Sequence, residues 1–388
     1  MQRLYNHFFA RLPVQPLAND GDLHILNAAE VRLIRRRHRQ ALLLSAGLSV
    51  AGFLAYFLPV YGAPAMFPSV PVSLPFVGAV VLPWAELLWG IVLMVLEIYL
   101  LVLLNLWGVH EIAVATGLMG PHNKSLVAAE VIGIGLGNEH RGLLRYGIDP
   151  FLGVNRGALF VFNLVLKLKG WLGTKLLSYV VQRLLGRLAV REVLDFIGMP
   201  IYMAINAYST HVVLREARVI IMGRRLIEEL TRRLPQKFAG DDPRELLHAT
   251  CQFIAVSKRD FHQNHYALTK VLVERYAITV KTTPHLPEDF FQRLRAADPE
   301  LRRVCVLVLV LGFILDGKVS FREDRRVAAL REAGILEYTV DDVRGFARAF
   351  LSGEGIEPLL TRQLAGPRDF DTRAPEAERA GSGAGQRS

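Results

Sequence analysis

The chain has 388 residues, 52% of them apolar, a mean hydropathy of +0.28 and a formal net charge of +10. That length allows two or three domains, and that apolar share is high for a soluble protein. With Cys251 and Cys305 as its only cysteines, a disulfide framework is excluded and a reducing compartment is indicated.

Residues 1–26 are mixed and partly aromatic, and Pro13 and Pro16 limit any helix there. Asn27 and Glu30 then form a capping pattern, in which Asn27 caps and Glu30 reaches back. The helix they open carries Arg32, Arg35, Arg36, Arg37 and Arg39 and runs directly into the apolar segment Ala41–Tyr61. A second apolar run covers Trp84–Trp107. Both are long enough to cross a bilayer, which takes about 20 apolar residues. Residues 62–85 contain no Lys or Arg, so the arginine cluster sets the N-terminus in the cytoplasm and the second span returns the chain there. No cleavable signal peptide is read ahead of this hairpin. Pro64, Pro68, Pro71, Pro75 and Pro83 exclude a single helix between the spans. That stretch is apolar enough to lie in the outer interface, and Trp84, Trp89 and Trp107 mark the ends of the second span.

Glu97 falls near the middle of the second span. A carboxyl at that depth is costly and must face protein, water or another copy of the chain. It is either a proton or cation site, or a structural acid bonded to Ser45 or Ser49 on the first span. With two spans to build a pathway from, the structural reading is favoured.

Beyond the hairpin, Gly133-Ile-Gly135-Leu-Gly137 lacks the third glycine and the acidic partner of a dinucleotide loop, and reads as a packing site or turn. In residues 157–191, leucines at helical spacing alternate with Lys167, Lys169, Lys175, Arg183, Arg187 and Arg191. This suits either helices on an anionic leaflet or a soluble bundle with a basic exterior. Glu192–Val213 approaches spanning length but holds Asp195, Pro200, Asn206, Ser209, Thr210 and His211. It reads as a buried or shallowly inserted helix and not as a third crossing. A further helix continues through Ala217 to Leu234, before Pro235.

The stretch Gly198-Met-Pro-Ile-Tyr-Met-Ala-Ile-Asn206, followed by Ala217, resembles the signature of the EcsC-like family, as do Arg145-Tyr-Gly147 and the Leu/Arg-rich helices upstream. The likeness covers about 109–234 and departs from the family at Met199–Met203, where bulky residues replace small ones. It implies a bacterial membrane-associated protein with an accessory role in secretion or transport, and it carries no catalytic residues.

After Gly240 the pattern is that of a compact helical domain. Asp242-Pro-Arg-Glu245, Asp298-Pro-Glu300, Ser320-Phe-Arg-Glu323 and Thr339-Val-Asp-Asp342 are helix starts, the fourth opening the last helix. Val304–Leu315 is apolar but too short to span, and so forms a buried core helix. The run Leu315-Asp-Gly-Lys-Val-Ser-Phe-Arg-Glu323 resembles the TerB-like (tellurite-resistance) domain over about 240–357. That resemblance implies a small helical bundle associated with membrane stress responses. It makes Asp316 and Glu323 candidate ligands of a divalent metal, although a turn and a capping box already explain them. His248, Cys251, His262 and His265, with Asp260 nearby, form a second candidate metal set at spacings unusual for zinc, and Cys251 equally fits a core position. Residues 364–388 have almost nothing apolar and read as a disordered tail.

The expected architecture is all-α: a cytoplasmic segment (1–40), a two-helix transmembrane hairpin (41–107), cytoplasmic amphipathic helices (108–236) and a C-terminal helical bundle (240–360). No nucleophile–base pair, phosphate loop or metalloprotease helix indicates an enzyme, and no nucleic-acid module accompanies the charge. The expected protein is an accessory or scaffold component of the bacterial inner membrane, with both termini cytoplasmic. Its partners would be the anionic inner leaflet, through Arg35, Arg36, Arg37 and Arg39, and a membrane protein or a second copy. The alternatives are an oligomeric proton- or ion-coupled transport component using Glu97, and a metal sensor using the C-terminal domain.

Overall fold

The computed structural model describes residues 2–14, 25–68, 70–74, 78–82, 84–120, 127–128, 131–132, 146, 148, 191–236, 238, 240–258, 262–279 and 286–364. The glycine cluster at 133–137, the basic segment 157–190, Asp260 and the tail beyond Leu364 lie outside them. Two units are distinguished. The first contains α1 (Gln2–Arg11), α2 (Ala28–Gly62), α3 (Trp84–Ala115) and α4 (Arg191–Arg233) as far as Met222; the second takes in the rest of α4 from Gly223, the helices that follow, and the earlier stretches Leu23–Ile25 and His140–Leu152.

In the first unit, α1 stops two residues short of Pro13, as the ring requires. The start of α2 is the capping box read from the sequence. Asn27 Oδ1 accepts from the backbone of Ala29 (3.0 Å) and Glu30 (2.9 Å), and Glu30 Oε2 accepts from Asn27 N (2.8 Å). The arginine-bearing turns then continue unbroken into the apolar stretch, so α2 has 35 residues. Antiparallel to it, α3 has 32 residues, and both helices are long and apolar enough to cross a membrane. Trp89 Nε1 donates to Ala55 O (3.1 Å) and Tyr56 donates to Glu86 (2.7 Å) at one end of the pair. At the other end Arg37 pairs with Glu111 at 2.8 Å and lies over the Trp107 ring. The face of α2 that is buried carries Ala41, Ser45 and Ser49, while Leu43 is 72% exposed and Leu58 66%. A water-soluble helix has the opposite pattern.

The connecting stretch is not a helix, as its prolines require, but neither is the unit purely helical. A 3₁₀ turn (Pro64–Met66) is followed by an antiparallel hairpin of β1 (Val70–Leu74) and β2 (Gly78–Leu82), with Val72 opposite Val80. The described residues are otherwise helical, as expected, and the ribbon is a local addition that the sequence did not announce. Valines favour the extended backbone, and in a two-stranded ribbon each strand is an edge that tolerates Pro71.

The segment 192–213 and the helix after it are one helix, α4, of 43 residues with Pro200 inside it. Of the two alternatives, a buried or a shallowly inserted helix, its apolar side does not match the first. Ile201, Tyr202, Ile205, Tyr208 and Val212 are exposed, whereas Thr210, Leu214 and Ala217 are buried. At Leu214 the packing is close: a Cβ placed on Gly108 of α3 would come within 2.6 Å of Leu214 Cδ2.

The second unit is built from α5 (Asp241–Lys258), α6 (Gln263–Arg275), α7 (Phe290–Ala296), α8 (Pro299–Ile314), α9 (Phe321–Glu332), α10 (Val340–Ser352) and α11 (Glu357–Leu364). At its centre is α8, buried without a break from Val304 to Leu315, as the apolar run indicated. Burying one side chain of that size contributes about 1.5–3 kcal/mol. Asp298 caps α8 through Glu300 N (2.9 Å), and Thr339 with Asp342 boxes α10 (2.8 and 3.1 Å). The helix from Thr339 is not the last: Gly353 and Gly355, both at positive φ, turn the chain into α11. Those two glycines and Pro358 were the available signals for this helix.

Candidate functional site

Two clusters of buried and half-buried polar side chains stand out, one in each unit. In the first unit, three helices converge on Glu97. Asn206 of α4 donates from Nδ2 to Glu97 Oε1 (2.7 Å) and is equally close to Ser49 Oγ on α2 (2.7 Å). Gly52 leaves room beside the carboxyl, since a Cβ there would lie 3.5 Å from Glu97 Oε2. One turn along, Thr210 donates to Ser45 Oγ (3.1 Å), and Ser49 bonds back to Ser45 O (3.3 Å). Past that seam, His38 and His211 are in hydrogen-bond contact at 3.0 Å. Glu97 therefore has its partner on α4 rather than directly on Ser45 or Ser49. That partner lies on the stretch of α4 that includes Gly198, about two turns earlier, and Ala217, which is buried further along the same helix. Sequence reasoning named Glu97, Ser45, Ser49 and Asn206 but offered Ser45 or Ser49 as the partner of Glu97, and it did not single out His38 or Gly52.

Chemically, the seam satisfies an acid with an amide donor, and the same amide also donates to the hydroxyl of Ser49. It holds three helices together, because each polar group left alone there would go unsatisfied. At the end of the helix pair marked by Arg37, the side chains of Arg35, Arg36 and Arg39 are exposed, whereas Arg37 is engaged with Glu111 and Trp107. At the opposite end, an apolar cavity of about 540 Å³ is lined by Pro59, Phe67, Trp84 and Trp89 among others.

In the second unit, three of the residues proposed as metal ligands, His265, Asp316 and Glu323, lie around the C-terminus of α8. The last carbonyls of a helix have no partner within it, and here they are buried. His265 Nε2 meets Gly312 O at 2.8 Å, Lys258 Nζ meets Phe313 O at 3.3 Å, and Asn264 Nδ2 donates to Leu315 O at 2.8 Å. Lys258, only 2% exposed at its side chain, also pairs with Asp316 Oδ2 at 2.8 Å and with Glu323 Oε1. Asp316 and Glu323 keep the local roles read from the sequence. Asp316 Oδ1 accepts from Lys318 N (3.3 Å) in the turn, and Glu323 Oε2 accepts from Ser320 N (2.6 Å) at the start of α9. The cation between these two acids is thus the ammonium of Lys258, far upstream at the end of α5.

The second candidate set is not gathered. His248 bonds to Tyr146 O (2.7 Å), His262 caps α6 through Asn264 N (3.2 Å), and His265 caps α8. Burial pushes the Cys251 and Cys305 thiols up to about 12, against hydrogen bonds from Thr269 and Thr250 that pull the other way. Among the described residues no three His, Cys, Asp or Glu side chains are grouped to hold a metal.

Burial, followed by the charge of Lys258, holds the His265 imidazole well below its ordinary value of 6.5, although the bond to Gly312 acts in the opposite sense. The unfolded chain therefore binds a proton that the folded chain refuses, and stability falls as pH drops through the unfolded value. Thermal unfolding of the full chain in detergent is expected to shift to lower temperature from about pH 7 to about pH 5. His265→Gln, which keeps a donor for Gly312, should flatten that slope; an unchanged slope would assign the acid sensitivity elsewhere.

Comparison with protein-family models, with curated proteins and with solved structures finds no match. The EcsC-like and TerB-like resemblances rest on the residues quoted for them.

Proposed function

We propose that the chain is a membrane-anchored accessory or scaffold protein of the bacterial inner membrane, with α2 and α3 as the anchor and both termini cytoplasmic. The supporting observation is the seam at Glu97. Asn206 ties α4, the helix that runs on into the C-terminal unit, to both anchor helices. The exposed leucines of α2 and α3 favour lipid around them, because a soluble core helix would bury such residues. The exposed Arg35, Arg36 and Arg39 suit an anionic inner leaflet, worth roughly 1 kcal/mol each. The two resemblances suggest stress-response or secretion-related work, with a membrane protein or a second copy as partner.

The competing reading makes Glu97 a proton-coupling group. Full-length protein reconstituted in vesicles with an interior pH dye separates the two. A scaffold gives no proton flux above that of empty vesicles, with or without Glu97→Gln. Flux that is present in the wild type and abolished by Glu97→Gln would overturn the scaffold reading. Anchoring is checked separately: the chain should stay in the membrane pellet after alkaline carbonate extraction.

A further inference from the structure

The contacts of α4 fix its direction against the anchor. Asn206 meets Ser49 and Glu97, Thr210 meets Ser45, His211 meets His38, and Leu214 sits on Gly108. Numbers that rise along α4 fall along α2 and rise along α3, so α4 is antiparallel to α2 and parallel to α3. Its two faces are distributed as on the anchor helices. Asn206 and Thr210 point inward, while Ile205 is 56% exposed and Tyr208 70%. This apolar stripe lies at the depth of Glu97, where α3 exposes Val95, Leu96 and Ile98. Residues 196–214 contain no Asp, Glu, Lys or Arg.

We propose that residues 196–214 of α4 form a third membrane helix, parallel to α3, whose isoleucine and tyrosine stripe faces lipid acyl chains. The inference rests on the reading of α2 and α3 as a membrane hairpin. Helical rise supports it at both ends. Asp195 is eleven residues before Asn206, about 16 Å along the axis, and half of a hydrocarbon core about 30 Å thick is about 15 Å. Arg191, Glu192 and Asp195 thereby reach the outer interface, and Arg215, Glu216 and Arg218 reach the inner one. The occupant of the stripe is lipid because the stripe continues the exposed apolar surface of α3 at the same level. Pro200 is tolerated inside such a helix. The polar residues of the seam lower its hydropathy, so its composition alone does not mark it as a span. Ala115 and Arg191, the ends of α3 and α4 that the intervening chain joins, fall on opposite faces of the membrane.

Single cysteines introduced as Met66→Cys and Asp195→Cys in the full chain test both levels. A membrane-impermeant maleimide is applied to right-side-out and inside-out vesicles. The buried native thiols Cys251 and Cys305 stay silent until denaturation. Labelling of both variants from the outside is the expected result. If Met66→Cys labels from outside, but Asp195→Cys labels only in inside-out vesicles or only after denaturation, the third helix is overturned and the hairpin stands. If Met66→Cys labels only in inside-out vesicles, the hairpin falls and the third helix falls with it.

Discussion

Replacing Asn206 with leucine is expected to loosen α4 from α2 and α3. The change removes the donor that Glu97 Oε1 and Ser49 Oγ share and leaves a carboxyl without its amide partner. Interhelical hydrogen bonds in membranes contribute about 0.6–2 kcal/mol each, so the two contacts together amount to about 2 kcal/mol. That is roughly a thirty-fold shift in an unfolding equilibrium, measurable as earlier unfolding when detergent-solubilised protein is titrated with denaturing detergent. Glu97→Leu should behave similarly, while Glu97→Gln keeps a carbonyl acceptor for Asn206 and should cost much less. A double-mutant cycle decides whether the pair acts as a unit. Additive losses for Asn206→Leu and Glu97→Leu would mean that the seam does not couple the helices.

Lys258→Met should be the most damaging single substitution in the C-terminal unit. The ammonium is buried between Asp316 and Glu323 and also serves Phe313 O at the end of α8. Removing one partner of a buried ion pair costs about 3–5 kcal/mol, because the remaining charge has neither water nor counterion. Chemical denaturation of the full chain, followed by hydrogen exchange of the α8 amides, would register this loss. The combined variant Lys258→Met, Asp316→Asn, Glu323→Gln should regain much of it, since the buried charges are then gone. The amide that Glu323→Gln introduces keeps a carbonyl acceptor for Ser320 N, so the capping box can still close. Wild-type stability in Lys258→Met alone would show that the cluster is not held by charge.

The metal reading of the C-terminal unit illustrates what a spacing can conceal. His248, Cys251, His262 and His265 lie close enough in sequence to suggest ligands. Their side chains instead bond to carbonyls, cap a helix or pack as neutral thiols. Asp316 and Glu323 had local explanations that held, a turn and a capping box. Neither explanation disclosed Lys258. In the first unit, the helix starting at Ala28 and the two apolar runs were legible because each depends on residues within a few turns. The strand pair of the connecting stretch was missed because the five prolines said only what that stretch could not be. In α4, Asn206 and Thr210 made the stretch polar for a span, and no spacing along the chain showed that these two turn toward Ser45, Ser49 and Glu97.

The sequence by itself determined the helix starts at Asn27, Asp298, Ser320 and Thr339, the two apolar helices, and the burial of Val304–Leu315. Caps and hydropathy are local properties, decided by side chains within about one turn or by the summed cost of wetting a run. Only the tertiary structure decided that Asn206 satisfies Glu97 across 109 positions. It likewise decided that His265, Lys258 and Asn264 close the buried end of α8. A buried polar group must find a partner wherever the packing of helices brings one, and no spacing along the chain specifies which helix that is.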